Sequence, residues 1–171
     1  MRGIGHRVIQ MDAAGQTTHH FRYGPGTDAL LADEVFGSTG GVQDLLWTAT
    51  DHLGTVRDVV STATGKLANH LEYDEHGVIT RVVNGDKYDI AVNARAVDAA
   101  FAGREFVDEL ALSYNRARWY DPATERFISE DPAQADPNLY RYAENDPVNF
   151  VDPSGLSIQK PCPSRKPNPI N

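Results

Sequence analysis

Over the first half of the chain, apolar and polar residues alternate in short runs that glycines interrupt. The runs F-R-Y (21–23), V-R-D-V-V (56–60), K-L-A-N-H-L-E-Y (66–73) and V-I-T-R-V-V (78–83) are rich in β-branched or aromatic residues. Several alternate in polarity, which predicts strands with one buried face. Turn signals bound them: G-P-G (24–26), H-L-G (52–54), T-G (64–65), D-E-H-G (74–77) and N-G (84–85). Asn-Gly is the strongest short hairpin signal. Gly54, Gly65 and Gly77 fall 11 and 12 residues apart, the spacing of one strand plus one turn in a meander. A weak internal repeat runs through the same region. Gly15 and Gly65 each precede a tyrosine, Tyr23 and Tyr73, by eight residues, and a turn follows each tyrosine.

Residues 88–103 break the pattern. They are alanine-rich, lack proline and end on Gly103, which predicts a short helix or a loop carrying one strand. Beyond residue 104, short aromatic runs alternate with Asp-Pro pairs at Asp121, Asp131, Asp136, Asp146 and Asp152. Proline fixes φ and has no N–H, so each pair starts a turn or ends a strand, and the aspartate can accept turn N–H groups. Asp121, Asp136 and Asp146 are read as turn formers only. Trp119, Tyr120, Phe127, Tyr140, Tyr142 and Phe150 are the expected core aromatics of a small β unit. After Leu156 the composition changes abruptly. Residues 157–171 hold four of the ten prolines and a charge of +3 from Lys160, Arg165 and Lys166. This reads as a disordered basic tail. The expected fold class is mainly β with little helix, divided into hairpins (1–87), a compact unit of short strands (88–156) and the tail (157–171).

Bulk properties narrow the function. The 171 residues are 40% hydrophobic and 23% charged, ordinary for a globular protein of about one domain. A net charge of −8 disfavours a nucleic-acid partner. The single cysteine, Cys162, has no internal disulfide partner and no adjacent base to activate it. No run of 18 apolar residues predicts a membrane span, and the N-terminus lacks the apolar stretch of a signal peptide. His19 and His20 are neighbours, so in a strand they face opposite sides and form no metal pair. No cofactor or metal is expected.

Six ordered elements carry a resemblance: H-L-G-T-V-R-D, Y-D-E-H-G, F-A-G-R-E-F, N-R-A-R-W-Y-D-P-A-T-E-R-F-I-S-E-D-P, N-L-Y-R-Y-A-E-N-D-P and V-D-P-S-G-L. Together they resemble the RHS (rearrangement hotspot) or YD-repeat family, specifically its C-terminal RHS repeat-associated core domain. The likeness runs from about Thr17 to Leu156 and is densest from Phe101 on. It implies a hollow shell of β-hairpin YD repeats around a toxic C-terminal polypeptide, with a core domain that closes one end. Members of this kind are typically secreted or lie at the cell surface. The implied partners are other RHS/YD-repeat shell segments or a C-terminal toxin cargo.

Many such members cut themselves just after the final D-P-x-G-Leu. The resemblance maps this chemistry onto Asp131, Asp152 and Arg118, with Arg116 as an alternative to Arg118, and onto the bond Leu156–Ser157. Two close carboxylates do not both ionise cheaply, so one keeps a proton while the other activates water. An arginine between them holds a carboxylate by charge-assisted hydrogen bonds. Tethering replaces affinity by effective molarity. On its own, Arg118 reads rather as a surface or stacking arginine between Trp119 and Tyr114. Three positions depart from the family pattern: Ala111 and Glu125 stand where members carry turn glycines, and Asp146 stands where members carry asparagine. Positive φ costs a non-glycine residue roughly 1 kcal/mol or more. The chain is also shorter than a closed shell requires. The reading that follows is the C-terminal part of a shell protein acting as a structural or interaction module that closes the shell. The alternative is an intramolecular aspartyl-type peptidase that turns over once.

Overall fold

The computed structural model describes residues 7–24 and 29–161. It is mainly β, as expected. Eight antiparallel strands form one sheet in strict chain order: β1 (Ile9–Met11), β2 (Thr17–Tyr23), β3 (Leu30–Phe36), β4 (Val42–Thr50), β5 (Val56–Ser61), β6 (Lys66–Tyr73), β7 (Ile79–Asn84) and β8 (Asp89–Ile90). A second sheet of four strands has the order β12 (Arg126–Phe127), β11 (Arg118–Asp121), β10 (Leu112–Asn115), β9 (Glu105–Val107). Strands β3 and β4 carry no clean alternation in sequence. Leu30, Ala32 and Asp33 are all buried on β3, and a polarity rule does not register such a run.

One turn recurs throughout. Asp12, Asp51, Asp74 and Asn84 each accept two backbone N–H groups, from the second and fourth residues beyond, on Oδ1 at 2.9–3.1 Å. The third residue beyond takes a positive φ: Gly15 at 77°, Gly54 at 83°, Gly77 at 94° and Lys87 at 67°. A short acceptor side chain stabilises the turn, and the left-handed residue closes it. At Asn84-Gly85 the left-handed residue is Lys87, not the glycine. Gly85 is there for space, because a Cβ would meet the Leu67 carbonyl oxygen at 2.1 Å. Of the G-P-G turn, Pro25 and Gly26 lie outside the described residues. The repeated tyrosines have equivalent roles: the Tyr23 hydroxyl donates to the Arg7 carbonyl at 3.1 Å and that of Tyr73 to the Val56 carbonyl at 3.0 Å.

Residues 88–103 form no α-helix. They contain β8 and two single 3-10 turns, 92–94 and 101–103. Their backbone groups are taken by the sheet instead. Ala96 N–H donates to Asn69 Oδ1 at 2.6 Å, Ala102 N–H to Thr55 Oγ1 at 3.0 Å, and Val56 N–H to the Ala100 carbonyl at 3.1 Å. The small alanines let this segment lie against the sheet. Val97 and Ala100 join Leu46, Val56, Val59, Leu71, Ile79 and Val82 in one core. A second core holds Phe101, Tyr120, Phe127, Tyr142 and Val151. Phe101 reaches back to the first sheet, where a Cβ on Gly77 would strike its ring at 2.4 Å. Each fully buried apolar side chain contributes ~1.5–3 kcal/mol. Of the expected core aromatics, Tyr120, Phe127 and Tyr142 are buried, whereas Tyr140 is 36% exposed. Its hydroxyl donates to Glu130 at 3.2 Å at the surface. Among the described residues, no helix is long and apolar enough to cross a membrane.

Candidate functional site

The second sheet alternates sharply. On β10, Ser113 and Asn115 are buried while Tyr114 is exposed; on β11, Arg118 and Tyr120 are buried while Trp119 is half-buried. Register pairs Asn115 with Arg118 and Tyr114 with Trp119. Tyr114 and Trp119 therefore pack against each other on the outer face, with ring centroids 4.9 Å apart and planes tilted by 48°. Arg118 faces inward. Its guanidinium carbon lies 3.7 Å from the centroid of the Phe127 ring, so its stacking partner is Phe127 and not the Trp119–Tyr114 pair.

Arg118 gathers three segments. Nη2 lies 3.3 Å from Oδ2 of Asp152 and 3.9 Å from Oδ2 of Asp131. Those two oxygens are thus separated by no more than the sum of the two distances. Nη1 donates to the Leu139 carbonyl at 3.0 Å, and Nε donates to the Gly155 carbonyl. Leu139 O also accepts the Asp131 N–H at 2.8 Å. All three charged side chains are 3–5% exposed. Burying ionisable side chains is costly unless they are paired and hydrogen-bonded, and here each of the three has ionisable or polar partners.

Both aspartates use the recurrent turn. Asp131 accepts Ala133 N–H on Oδ1 at 2.9 Å, and Ala135 N–H on Oδ2 at 3.4 Å, with Gln134 at φ 49°. Asp152 Oδ1 accepts N–H groups of Ser154, Leu156 and Ser157 at 3.1–3.2 Å, with Gly155 at φ 69°. What separates Asp131 and Asp152 from the other turn aspartates is burial beside an arginine. Asp121 caps its turn at the surface through Ala123 N–H and the Thr124 hydroxyl. Asp136 pairs with Arg141, which holds its carboxyl below the usual carboxylate range. Asp146 is held by Asn149. Asp121 and Asp146 are turn residues, as read from the sequence; Asp136 caps a turn too, but it also lines a cavity beside Asp131.

The bond Leu156–Ser157 lies on this cluster. Arg118, Asp131, Asp152, Leu156, Ser157 and Arg141 are among the residues lining a half-open cavity of about 180 Å³, which has room for water. Backbone pairing continues past Leu156, against the expectation of a tail beginning there. Val151 and Gln159 exchange N–H···O bonds at 3.0 and 2.7 Å. The remainder of the tail, 162–171, lies outside the described residues and includes Cys162. Ala111 and Glu125 take φ of 53° and 62°, the conformation that glycine would supply. Asn115, Arg104, Phe127 and Arg141 belong to the surroundings of the site, yet no spacing in the sequence singles them out.

No protein-family model matches the chain. It is 34% identical over 131 residues to double-stranded DNA deaminase toxin A of Burkholderia cenocepacia (strain H111), covering 74% of this chain and 9% of that protein. It is 28% identical over 167 residues to the tRNA nuclease WapA of Bacillus subtilis (strain 168), covering 86% of this chain and 7% of the relative. With the toxin protein Tse5 of Pseudomonas aeruginosa it shares 43% identity over 60 residues, 34% of this chain and 5% of Tse5. The chain therefore spans under a tenth of the length of these relatives. Among solved structures, TcdB2-TccC3-TEV superposes with a TM-score of 0.67 at 21% identity, over 86% of this chain and 7% of that one. TcdB2-TccC3 without its hypervariable C-terminal region gives 0.65 at 23% identity, again over 86% and 7%. The chain thus shares its fold with a segment of the TcdB2-TccC3 structures, and its sequence relatives include proteins named as toxins.

Proposed function

We propose that this chain is the core of an RHS-type, toxin-associated shell, and that it cuts itself once between Leu156 and Ser157. The observation that carries the reading is the convergence of Asp131 and Asp152 on Arg118, with Asp152 Oδ1 also 3.1 Å from the nitrogen of the bond to be cut. The likeness to a TcdB2-TccC3 structure lacking a hypervariable C-terminal region supports assigning this segment to the part outside that region.

The reaction is a hydrolysis. A water in the cavity attacks the Leu156 carbonyl carbon. One carboxylate of the Asp131–Asp152 pair takes the proton of that water. The other carboxyl of the pair, as carboxylic acid, gives a proton to Ser157 N as the C–N bond breaks. The products are a Leu156 carboxylate and a Ser157 amine. Arg118 supports the pair by holding both side chains while charge moves between them. The substrate is tethered, so orientation supplies much of the barrier reduction, and one turnover per chain suffices.

The test uses the full chain with a C-terminal tag, followed by intact mass. Asn is the informative substitution, because its side-chain oxygen keeps the Asx turn while the acid–base function is lost. Wild type is expected to lose the segment from Ser157 on. Asp131→Asn and Asp152→Asn should slow that loss by about 100-fold or more. A wild-type chain that stays intact sinks the proposal.

One observation favours a second reading, that of a non-catalytic module closing the shell against other RHS/YD-repeat segments or a toxin cargo. Asp131 and Asp152 make the same turn bonds as Asp12, Asp51 and Asp74, so their turns need them even without chemistry. Under that reading the tagged wild type stays intact.

A further inference from the structure

The four carbonyls preceding Leu156 are each bound, in order, by four consecutive residues of the β10–β11 hairpin. Asn115 Nδ2 donates to the Asp152 carbonyl at 2.7 Å, Arg116 Nη1 to that of Pro153, Ala117 N–H to that of Ser154 at 3.1 Å, and Arg118 Nε to that of Gly155. Each donor stands 37 residues before its acceptor. A fifth donor comes from outside the hairpin: Arg104 Nη1 reaches the Pro153 carbonyl at 2.9 Å, and its Nε holds the Ala102 carbonyl at 3.2 Å.

Nothing about a turn of this kind requires such a ladder. The other Asx turns close mainly with their own backbone and acceptor side chain; the Asp74 turn has one outside tie, from the Tyr120 hydroxyl to the His76 carbonyl at 2.8 Å. This one is also tied from outside at every carbonyl from 152 to 155. The ties are expensive. Arg104 is 4% exposed, and burial pushes its guanidinium down to about 10. Asn115 is 1% exposed, and its Oδ1 has no hydrogen-bond partner among the described residues, a cost of about 1–3 kcal/mol for a buried polar atom. Gly155 has no room for a side chain, since a Cβ would lie 2.5 Å from Asn115 O and 2.9 Å from Arg118 N. Costly buried polar groups that fix one segment next to candidate acid–base residues are what a positioning device requires.

We infer that Asn115 and Arg104 are positioning residues for the cut at Leu156–Ser157: by holding the carbonyls of Asp152 and Pro153 they fix the Asp152 carboxyl, and the bond it faces, against Asp131 and Arg118. Neither residue takes part in proton transfer; both act through Asp152. This inference rests on the self-cleavage reading.

The experiment follows loss of the C-terminal tag by pulse-chase in cell-free translation of the full chain. Arg104→Met keeps the apolar stem and removes every donor. Arg104→Gln keeps one donor head. Asn115→Leu removes the donor together with the unpartnered Oδ1. Stability is measured separately, as the urea midpoint of the same substitutions in an Asp152→Asn background that is not cut. The expected result is cleavage slowed about tenfold or more by Arg104→Met and Asn115→Leu, with Arg104→Gln recovering part of the rate at an unchanged midpoint. Wild-type rates in Arg104→Met and Asn115→Leu overturn the inference while leaving the cleavage reading intact. Rates that fall only in step with the midpoint, without recovery by Arg104→Gln, also overturn it, because they mark a structural role. A wild-type chain that is never cut overturns both.

Discussion

Oδ1 of Asp152 accepts the N–H of Ser157 at 3.1 Å. The aspartate thus sits on the nitrogen of a peptide bond only five residues further along its own chain. The loop between them is closed by the Asx turn and by Gly155 at φ 69°. A bond held this way needs no diffusional encounter, and its orientation is set by folding.

Gly155→Ala should be strongly destabilising. The residue is left-handed, and an added Cβ would lie inside the contact distance of two backbone atoms, Asn115 O at 2.5 Å and Arg118 N at 2.9 Å. Left-handed strain and overpacking together amount to about 2–4 kcal/mol. Urea denaturation in the Asp152→Asn background measures this without interference from cleavage.

Phe127→Ala should lower stability by about 3–5 kcal/mol. Phe127 is fully buried. It packs edge-on against Tyr120 and Tyr142 and lies beneath the Arg118 guanidinium. The loss of stability should be accompanied by slower tag release, because Arg118 loses the surface that orients it. Normal release at a temperature well below the melting point would argue that Arg118 is held by its hydrogen bonds alone.

Glu125→Gly should stabilise. Glu125 sits at φ 62° on an exposed hairpin turn, and its contact with His76 Nε2 is 3.5 Å long and solvent-exposed. Relief of left-handed strain, less the entropy that glycine adds to the unfolded chain, leaves a gain of about 0.5–1 kcal/mol. Ala111→Gly, at φ 53°, should behave alike. A rise in melting temperature for each is the readout.

Stability should depend on pH through Asp33. This residue is 1% exposed in β3, and burial raises its carboxyl above the usual carboxylate range, against the lowering hydrogen bond from His19 at 2.8 Å. The folded state then binds the proton more tightly than the unfolded state. The contribution of Asp33 is complete below the ordinary aspartate value of about 4 and is lost as pH rises through the raised value. The stability of wild type relative to Asp33→Asn should therefore fall as pH rises from about 4 toward neutrality. Urea midpoints across that range check the sign, and a constant difference refutes it.

Much of this was legible in the sequence, for identifiable reasons. The strand at 66–73, with Asn69 and Leu71 buried, follows from polarity at period two, a local property; β5 and β7 read as strands from their β-branched residues, but their buried pairs Val56–Val59 and Ile79–Val82 lie three apart because the register slips at Arg57 and Thr80. The Asp-Pro pairs read as turns because proline and aspartate act on their own backbone. The segment 88–103 misled because alanine favours helix in isolation, while here its N–H and C=O groups bind Asn69, Thr55 and Val56 of the sheet. Tyr140 misled because an aromatic in an aromatic-rich stretch is usually buried, and this one ends at Glu130 on the surface.

By itself, then, the sequence determined the mainly β class, the turn chemistry and the short roster of carboxylates from which Asp131 and Asp152 were drawn. These depend on contacts within a few residues. Only the tertiary structure decided that those two, among eight or so similar turn residues, are buried on one arginine. It also decided that Arg118 turns toward Phe127, and that residues 115–118 bind the carbonyls of 152–155. The physical reason is range. Pairings across 13 to 37 residues depend on how two sheets and their loops pack, and strand pattern fixes which face a side chain takes without naming what it will meet there.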